Sequence, residues 1–197
     1  MRTGEGYIKF NLNWDQRKFE FGNEDFNYIN SCRDKLFDLG LIGVYPNGIG
    51  FGNLSIRYHN NEFIISGSAT GNIPNLTKDH FALVKVIDIE NNSVQCVGQI
   101  EASSESLSHG VIYEVNSAVN AVIHIHHKDM WNQYINNLPT TNKNAEFGTP
   151  EVALEIAKLT NEDSGIIIMA GHPEGIITYG KTLEDAYKKL LKYYNKL

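Results

Sequence analysis

The chain has 197 residues, 42% of them hydrophobic and 20% charged, which suits one domain spanning 1–197 with a core that needs no disulfide or metal staple. Its formal net charge of -6 and pI near 5.6 argue against a broad nucleic-acid surface, while leaving room for a local pocket that takes a phosphorylated metabolite. No apolar run approaches a bilayer span and the opening MRTGEGYIKFNLNW does not read as a secretion signal. Cys32 and Cys96 lie far apart outside any zinc-finger spacing, so a reduced cytoplasmic setting with neither membrane nor nucleic acid as partner is expected.

After an N-terminal arm, residues 23–39 carry Phe26, Ile29, Leu36 and Leu39 near helical spacing, with Gly40 placed to stop the helix. Residues 43–52 read as a loop dense in glycine and turn formers, leading into a short strand over 53–58 and its hairpin partner over 62–66. A second loop, Gly67-Ser68-Ala69-Thr70-Gly71, precedes a long strand over 81–89. Asn91-Asn92 then turns the chain into another strand over 93–97, so the first half is a meandering sheet. Ser103-Ser104-Glu105 opens a helix to about residue 114, which places Glu105 in its first turn, with Leu107, Ile112 and Val115 on the apolar side.

Next comes Ala121-Val122-Ile123-His124-Ile125-His126-His127. Side chains of an extended chain alternate faces, so His124 and His126 share a face with Val122, Ala121, Ile123 and Ile125 point the other way into a core, and His127 turns from the pair. Thr149-Pro150-Glu151 then starts a helix carrying Val152, Ile156 and Leu159. The apolar runs 165–169 and 175–179 are buried strands, and Thr182 caps a last helix packed through Leu183, Ala186, Leu190 and Tyr194. Its Lys188, Lys189 and Lys192 complement the helix C-terminus and keep a solvated face.

The chemistry is concentrated in the His-x-His. By itself the pattern is as readily a polar strand exit as a pair of metal ligands, but imidazole nitrogen is a preferred zinc donor and a catalytic zinc takes three protein ligands. His172, in the glycine-rich turn Ala170-Gly171-His172-Pro173-Glu174-Gly175 directly after a buried strand, supplies the third. Glu105 is the candidate base. A carboxylate there also suits the helix electrostatically, yet Ser103 and Ser104 beside it offer hydroxyls and N–H groups for an anion such as phosphate, and Gly52-Asn53 and Thr70-Gly71 add more.

Taken in order, these strings resemble the class II aldolase/adducin family over nearly the whole chain, and within it the zinc-dependent sugar-phosphate lyases. Gly52-Asn53-Leu54-Ser55-Ile56-Arg57 and Thr70-Gly71 are similar to its two phosphate loops, and Ser103-Ser104-Glu105 with His109 and Tyr113 to its serine-serine-acid helix. His124-x-His126 is similar to its zinc pair; Phe147-Gly148-Thr149 and Gly175-Ile176-Ile177 also fit. The resemblance implies a three-layer α/β/α fold with a mainly antiparallel central sheet, and usually a homotetramer. It further implies Zn2+ on His124, His126 and His172 stabilising an enediolate, Glu105 moving the proton, and Asn53, Thr70, Gly71, Ser103 and Ser104 holding the phosphate of a small sugar phosphate.

Departures from the family pattern matter. Pro173 and Glu174 stand between His172 and the last glycine motif, so Glu174 is an alternative third ligand, with His172 preferred. The stretch between His127 and Phe147 is shorter than in the sugar-phosphate aldolases, and regions that commonly supply substrate-contacting tyrosines are reduced. Alternatives on the same scaffold are a dehydratase, an epimerase, which usually carries aspartate where Glu105 stands, and a non-catalytic interaction module of the adducin kind.

Overall fold

The computed structural model describes residues 7–197, so the first six residues of the stretch read for a secretion signal lie outside the described residues. The central sheet runs β1 (Asn11–Asp15), β7 (Ser93–Val97), β6 (Phe81–Asp88), β5 (Glu62–Ser66), β4 (Asn53–His59), β8 (Ala121–His126), β10 (Gly175–Gly180) and β9 (Gly165–Ile168), in that spatial order. Neighbours pair antiparallel except β1 with β7. A separate small hairpin joins β2 (Gly43–Val44) to β3 (Gly50–Phe51).

Helices cover both faces of the sheet. On one side, α2 (Ser106–Val115) and α4 (Pro150–Leu159) pack through Leu107, Val111, Val152 and Ile156 onto Val122, Ile167 and Ile177. On the other, α1 (Asn23–Asp38) and α5 (Leu183–Tyr194) bring Ile29, Leu36, Ala186 and Leu190 onto Ala121, Ile123, Ile125, Ile166, Ile168 and Ile176. Successive isoleucines thus enter opposite cores, which is why these strands read as unbroken apolar runs. The result is a three-layer α/β/α fold with a mostly antiparallel sheet, as expected, and the two faces of β8 divide as the alternation requires.

Caps behave as their residue types dictate. The Thr149 hydroxyl accepts from Val152 N at 3.5 Å and the Thr182 hydroxyl from Asp185 N at 3.0 Å, each quenching an orphan donor of its helix. Gly40, just beyond α1, takes the left-handed φ of 68° that ends a helix cheaply. Helix α2 starts later than expected. Ser106 directs both its N–H (3.0 Å) and its hydroxyl (2.6 Å) to Ser103 O, closing a local turn first, so Glu105 is the N-cap residue instead of lying in the first helical turn.

Four elements differ from the sequence reading. The N-terminal arm contains β1, an edge strand; the loop over 43–52 is the β2–β3 hairpin; a short 3-10 turn spans Lys78–His80; and α3 (Lys128–Tyr134) follows the histidine strand. His127, which faces away from the pair as expected, caps α3 by accepting from Met130 N at 3.2 Å, a task seldom given to histidine. Lys188 pairs with Glu184 at 2.8 Å on an exposed face of α5. Among the described residues no helix is long and apolar enough to cross a membrane.

Candidate active site

Strand β8 holds two of the three imidazoles in the middle of the sheet. Asn53 of β4 lies opposite His124 on one side, while Ile177 and Gly175 of β10 lie opposite His124 and His126 on the other. His172 enters from the turn that links β9 to β10, its ring centroid 5.1 Å from that of His124 and 4.7 Å from that of His126. One ring nitrogen from each of the three buried histidines falls within 4.8 Å of the others. Glu174, the alternative third donor, stands outside that group. A Cβ on residue 175 would come within 3.0 Å of the His172 ring, so glycine is what lets this imidazole approach.

The protons on these rings can be placed. His124 Nδ1 lies 3.2 Å from Ile176 O, a contact it can only donate to, which leaves a lone pair on Nε2. Burial first, then the neighbouring imidazoles of His126 and His172, pushes His124 well below the usual histidine range, so it is neutral at pH 7. Its Nε2 is 3.0 Å from His126 Nε2. Metal–nitrogen bonds of about 2.0–2.1 Å in a tetrahedral site put two donors roughly 3.3 Å apart, so the separation and the donor type both fit a zinc-like ion.

Glu105, 2% exposed, approaches this cluster from α2, with its Oε1 3.8 Å from His172 Nδ1. The Ser108 hydroxyl donates to Glu105 Oε2 at 2.7 Å and thereby fixes the carboxylate plane; sequence reasoning missed this serine, which is one helical turn on. Phe147 stacks on His172 with centroids 4.5 Å apart, and the Lys9 ammonium sits 3.6 Å from the Phe147 centroid. Behind Glu105, His109 Nδ1 lies 2.7 Å from Ser55 Oγ, which is 2.8 Å from the Tyr113 hydroxyl. Complete burial drives His109 down to about 3, so this internal chain is uncharged.

The expected phosphate residues line the same cavity. Asn53, Thr70, Gly71, Ser103 and Ser104 border it together with Glu105 and the three histidines. Asn53 Oδ1 is buried without a hydrogen-bond partner and, as an acceptor, suits a ligand hydroxyl; toward a phosphate Asn53 must donate through its amide nitrogen. The Thr70 hydroxyl donates to Gly67 O at 2.9 Å, so what Thr70 has to offer an anion is its amide. Arg33, 1% exposed, braces this loop from behind by donating to the carbonyls of Thr70 (3.2 Å), Ile73 (2.5 Å) and Pro74 (3.1 Å). Its signal was legible: Arg33 occupies the buried stripe of α1 with Ile29 and Leu36. Burial pushes the Cys32 thiol up to about 12, in keeping with an inert bystander.

The two glycine-rich loops touch backbone to backbone. A Cβ on Gly71 would lie 2.0 Å from Gly43 O, an atom that cannot move without the β2–β3 hairpin. Gly71→Ala is therefore expected to destabilise the fold by about 1–3 kcal/mol, read as a lower urea midpoint with an unchanged slope. A midpoint equal to wild type would mean that the loops are not so closely joined.

Comparison with known proteins agrees with this architecture. Residues 47–132 match the family described as Class II Aldolase and Adducin N-terminal domain, a stretch from the first glycine loop past the His-x-His. An L-fuculose phosphate aldolase of Methanocaldococcus jannaschii is 27% identical, the match covering 83% of this chain and 87% of the relative. Over residues 47–132 the chain is thus similar to the class II aldolase/adducin family. Among solved structures, an L-fuculose 1-phosphate aldolase superposes with a TM-score of 0.66 at 19% identity, over 90% of this chain and 84% of the other. YgbL from Klebsiella pneumoniae, a candidate aldolase/epimerase/decarboxylase, gives 0.62 at 16% identity, over 83% and 82%. At those identities the family likeness to solved structures is one of fold.

Proposed function

We propose that this chain is a zinc-dependent lyase of the aldolase type that cleaves or forms a carbon–carbon bond in a small sugar phosphate, working as one domain per subunit of a homotetramer. The observation that carries the reading is the convergence of three buried imidazoles and one buried carboxylate on a single cavity bordered by both glycine-rich loops. The name of the archaeal relative, L-fuculose phosphate aldolase, supports the substrate class.

Zinc, or another divalent ion on His124, His126 and His172, would supply Lewis acidity where negative charge develops on a carbonyl oxygen. The chain's own residues do the rest. Asn53, Ser103, Ser104 and the amides of Thr70 and Gly71 hold the phosphate, so that binding energy far from the reacting carbons fixes their position. Glu105 takes and returns the proton through Oε1, the oxygen nearer His172, while Ser108 keeps Oε2 in place. The cavity holds about 190 Å³, below the roughly 300–1,000 Å³ typical of drug-sized ligands, which favours a small metabolite over a polymer.

The zinc-loaded protein is expected to exchange solvent deuterium into dihydroxyacetone phosphate, followed by NMR, and to stop when the metal is chelated. Zinc bound without exchange would turn the reading toward dehydration of another phosphate ester. Failure to bind zinc at all would favour the adducin-like interaction module.

A further inference from the structure

The tyrosine that opens the β2–β3 turn reaches the metal-site histidine furthest along β8. Its hydroxyl lies 2.9 Å from His126 Nδ1 and donates to Glu174 Oε2 at 2.7 Å. A phenol has a single proton to give. With that proton committed to the carboxylate, the Tyr45 oxygen must accept at its contact with His126, so the ring carries its hydrogen on Nδ1. The lone pair then falls on Nε2, the nitrogen 3.0 Å from His124 Nε2.

The backbone at Glu174 points the same way. Glu174 has φ 69°, in the left-handed region where glycine or asparagine is the low-cost occupant and a glutamate is strained. Glycines flank this turn at 171 and 175, so the sequence has small residues close by and still places a carboxylate at the strained position. His127 N donates to Glu174 O at 3.0 Å, tying the strained residue to the end of β8. On the other side the Tyr45 main chain is held by Tyr45 N to Ile49 O and Gly48 N to Tyr45 O, both 2.8 Å, and its ring packs on Phe51 with centroids 4.6 Å apart. Phe51 in turn lies 5.7 Å from the His126 ring.

We propose that Tyr45 and Glu174 are positioning residues that set the tautomer and ring orientation of His126 for metal binding, an inference that rests on the zinc reading above. Glu174 thus serves the site from outside the ligand set, through a tyrosine. Outer partners of this sort typically contribute 10–100-fold to metal affinity.

The test is a chelator-competition titration of zinc on the full chain, with the melting temperature of each metal-free protein recorded alongside. Tyr45→Phe is expected to bind zinc about 10–100-fold more weakly than wild type. Glu174→Gln keeps an acceptor oxygen for the phenol and should retain most of the affinity. Glu174→Gly relieves the backbone, so its metal-free form should melt at or above wild type while zinc affinity falls with that of Tyr45→Phe. The proposal is overturned if wild type holds zinc and both Tyr45→Phe and Glu174→Gly hold it equally well, or if Glu174→Gly melts low in step with its loss of affinity. A wild-type protein that binds no zinc would remove this proposal and the functional reading together.

Discussion

Replacing His126 by alanine is expected to cut bound metal from about one zinc per subunit to a residual level, and His124→Ala should do the same. Each removes one of two nitrogens that stand 3.0 Å apart on adjacent turns of a single strand's pleat, and the surviving pair cannot close around an ion. The loss should also appear as stability. A ligand at 100 times its dissociation constant stabilises the native state by about 2.7 kcal/mol. In a protein of this size roughly 2–4 °C of melting temperature accompanies each kcal/mol, so the zinc-dependent rise of about 5–10 °C should vanish in both variants. Metal analysis after dialysis and a melting curve with and without zinc decide it. Either alanine variant retaining a full complement of zinc would show that the ion sits elsewhere.

The second large effect is expected at Glu105→Gln. Glutamine preserves the shape of the side chain and an oxygen for the Ser108 hydroxyl, so the fold and the zinc content should be unchanged. What it cannot do is take up a proton. A positioned general base contributes typically 10²–10⁴-fold, and deuterium exchange into dihydroxyacetone phosphate should slow by about that factor. Exchange at the wild-type rate would mean that another group carries the proton and that Glu105 is only the N-cap residue of α2.

Most of this arrangement was legible in the chain. The run Ala121-Val122-Ile123-His124-Ile125-His126 obeyed a period of two because both faces of β8 are covered by helices, which leaves only alternation to sort its side chains. Thr149, Pro150 and Thr182 marked their helices because capping is a local property of residue type. Less legible were elements whose stability is borrowed. Strand β1 is short and lies at the sheet edge, with Asn11, Asn13 and Asp15 exposed and only Leu12 and Trp14 partly buried, and it exists because β7 offers it a parallel neighbour. Helix α3 is seven residues long and starts at a histidine cap, so nothing local announced it. Glu105 was displaced from the first turn to the cap because Ser106 turns both its N–H and its hydroxyl back to Ser103 O, a local closure that composition alone does not resolve. Tyr45 was invisible as a site residue because its partners stand 81 and 129 positions away.

The guanidinium of Arg33 belongs to a helix on the far side of the sheet from α2, yet it props the rim that would receive an anionic group. Distance from the reacting carbon is therefore a poor guide to which changes are harmless in this protein. Grafting the two glycine-rich loops onto a foreign scaffold would fail unless the graft carried that helix too, because a lysine or a shorter cation cannot grip several carbonyls at once as a planar fork does.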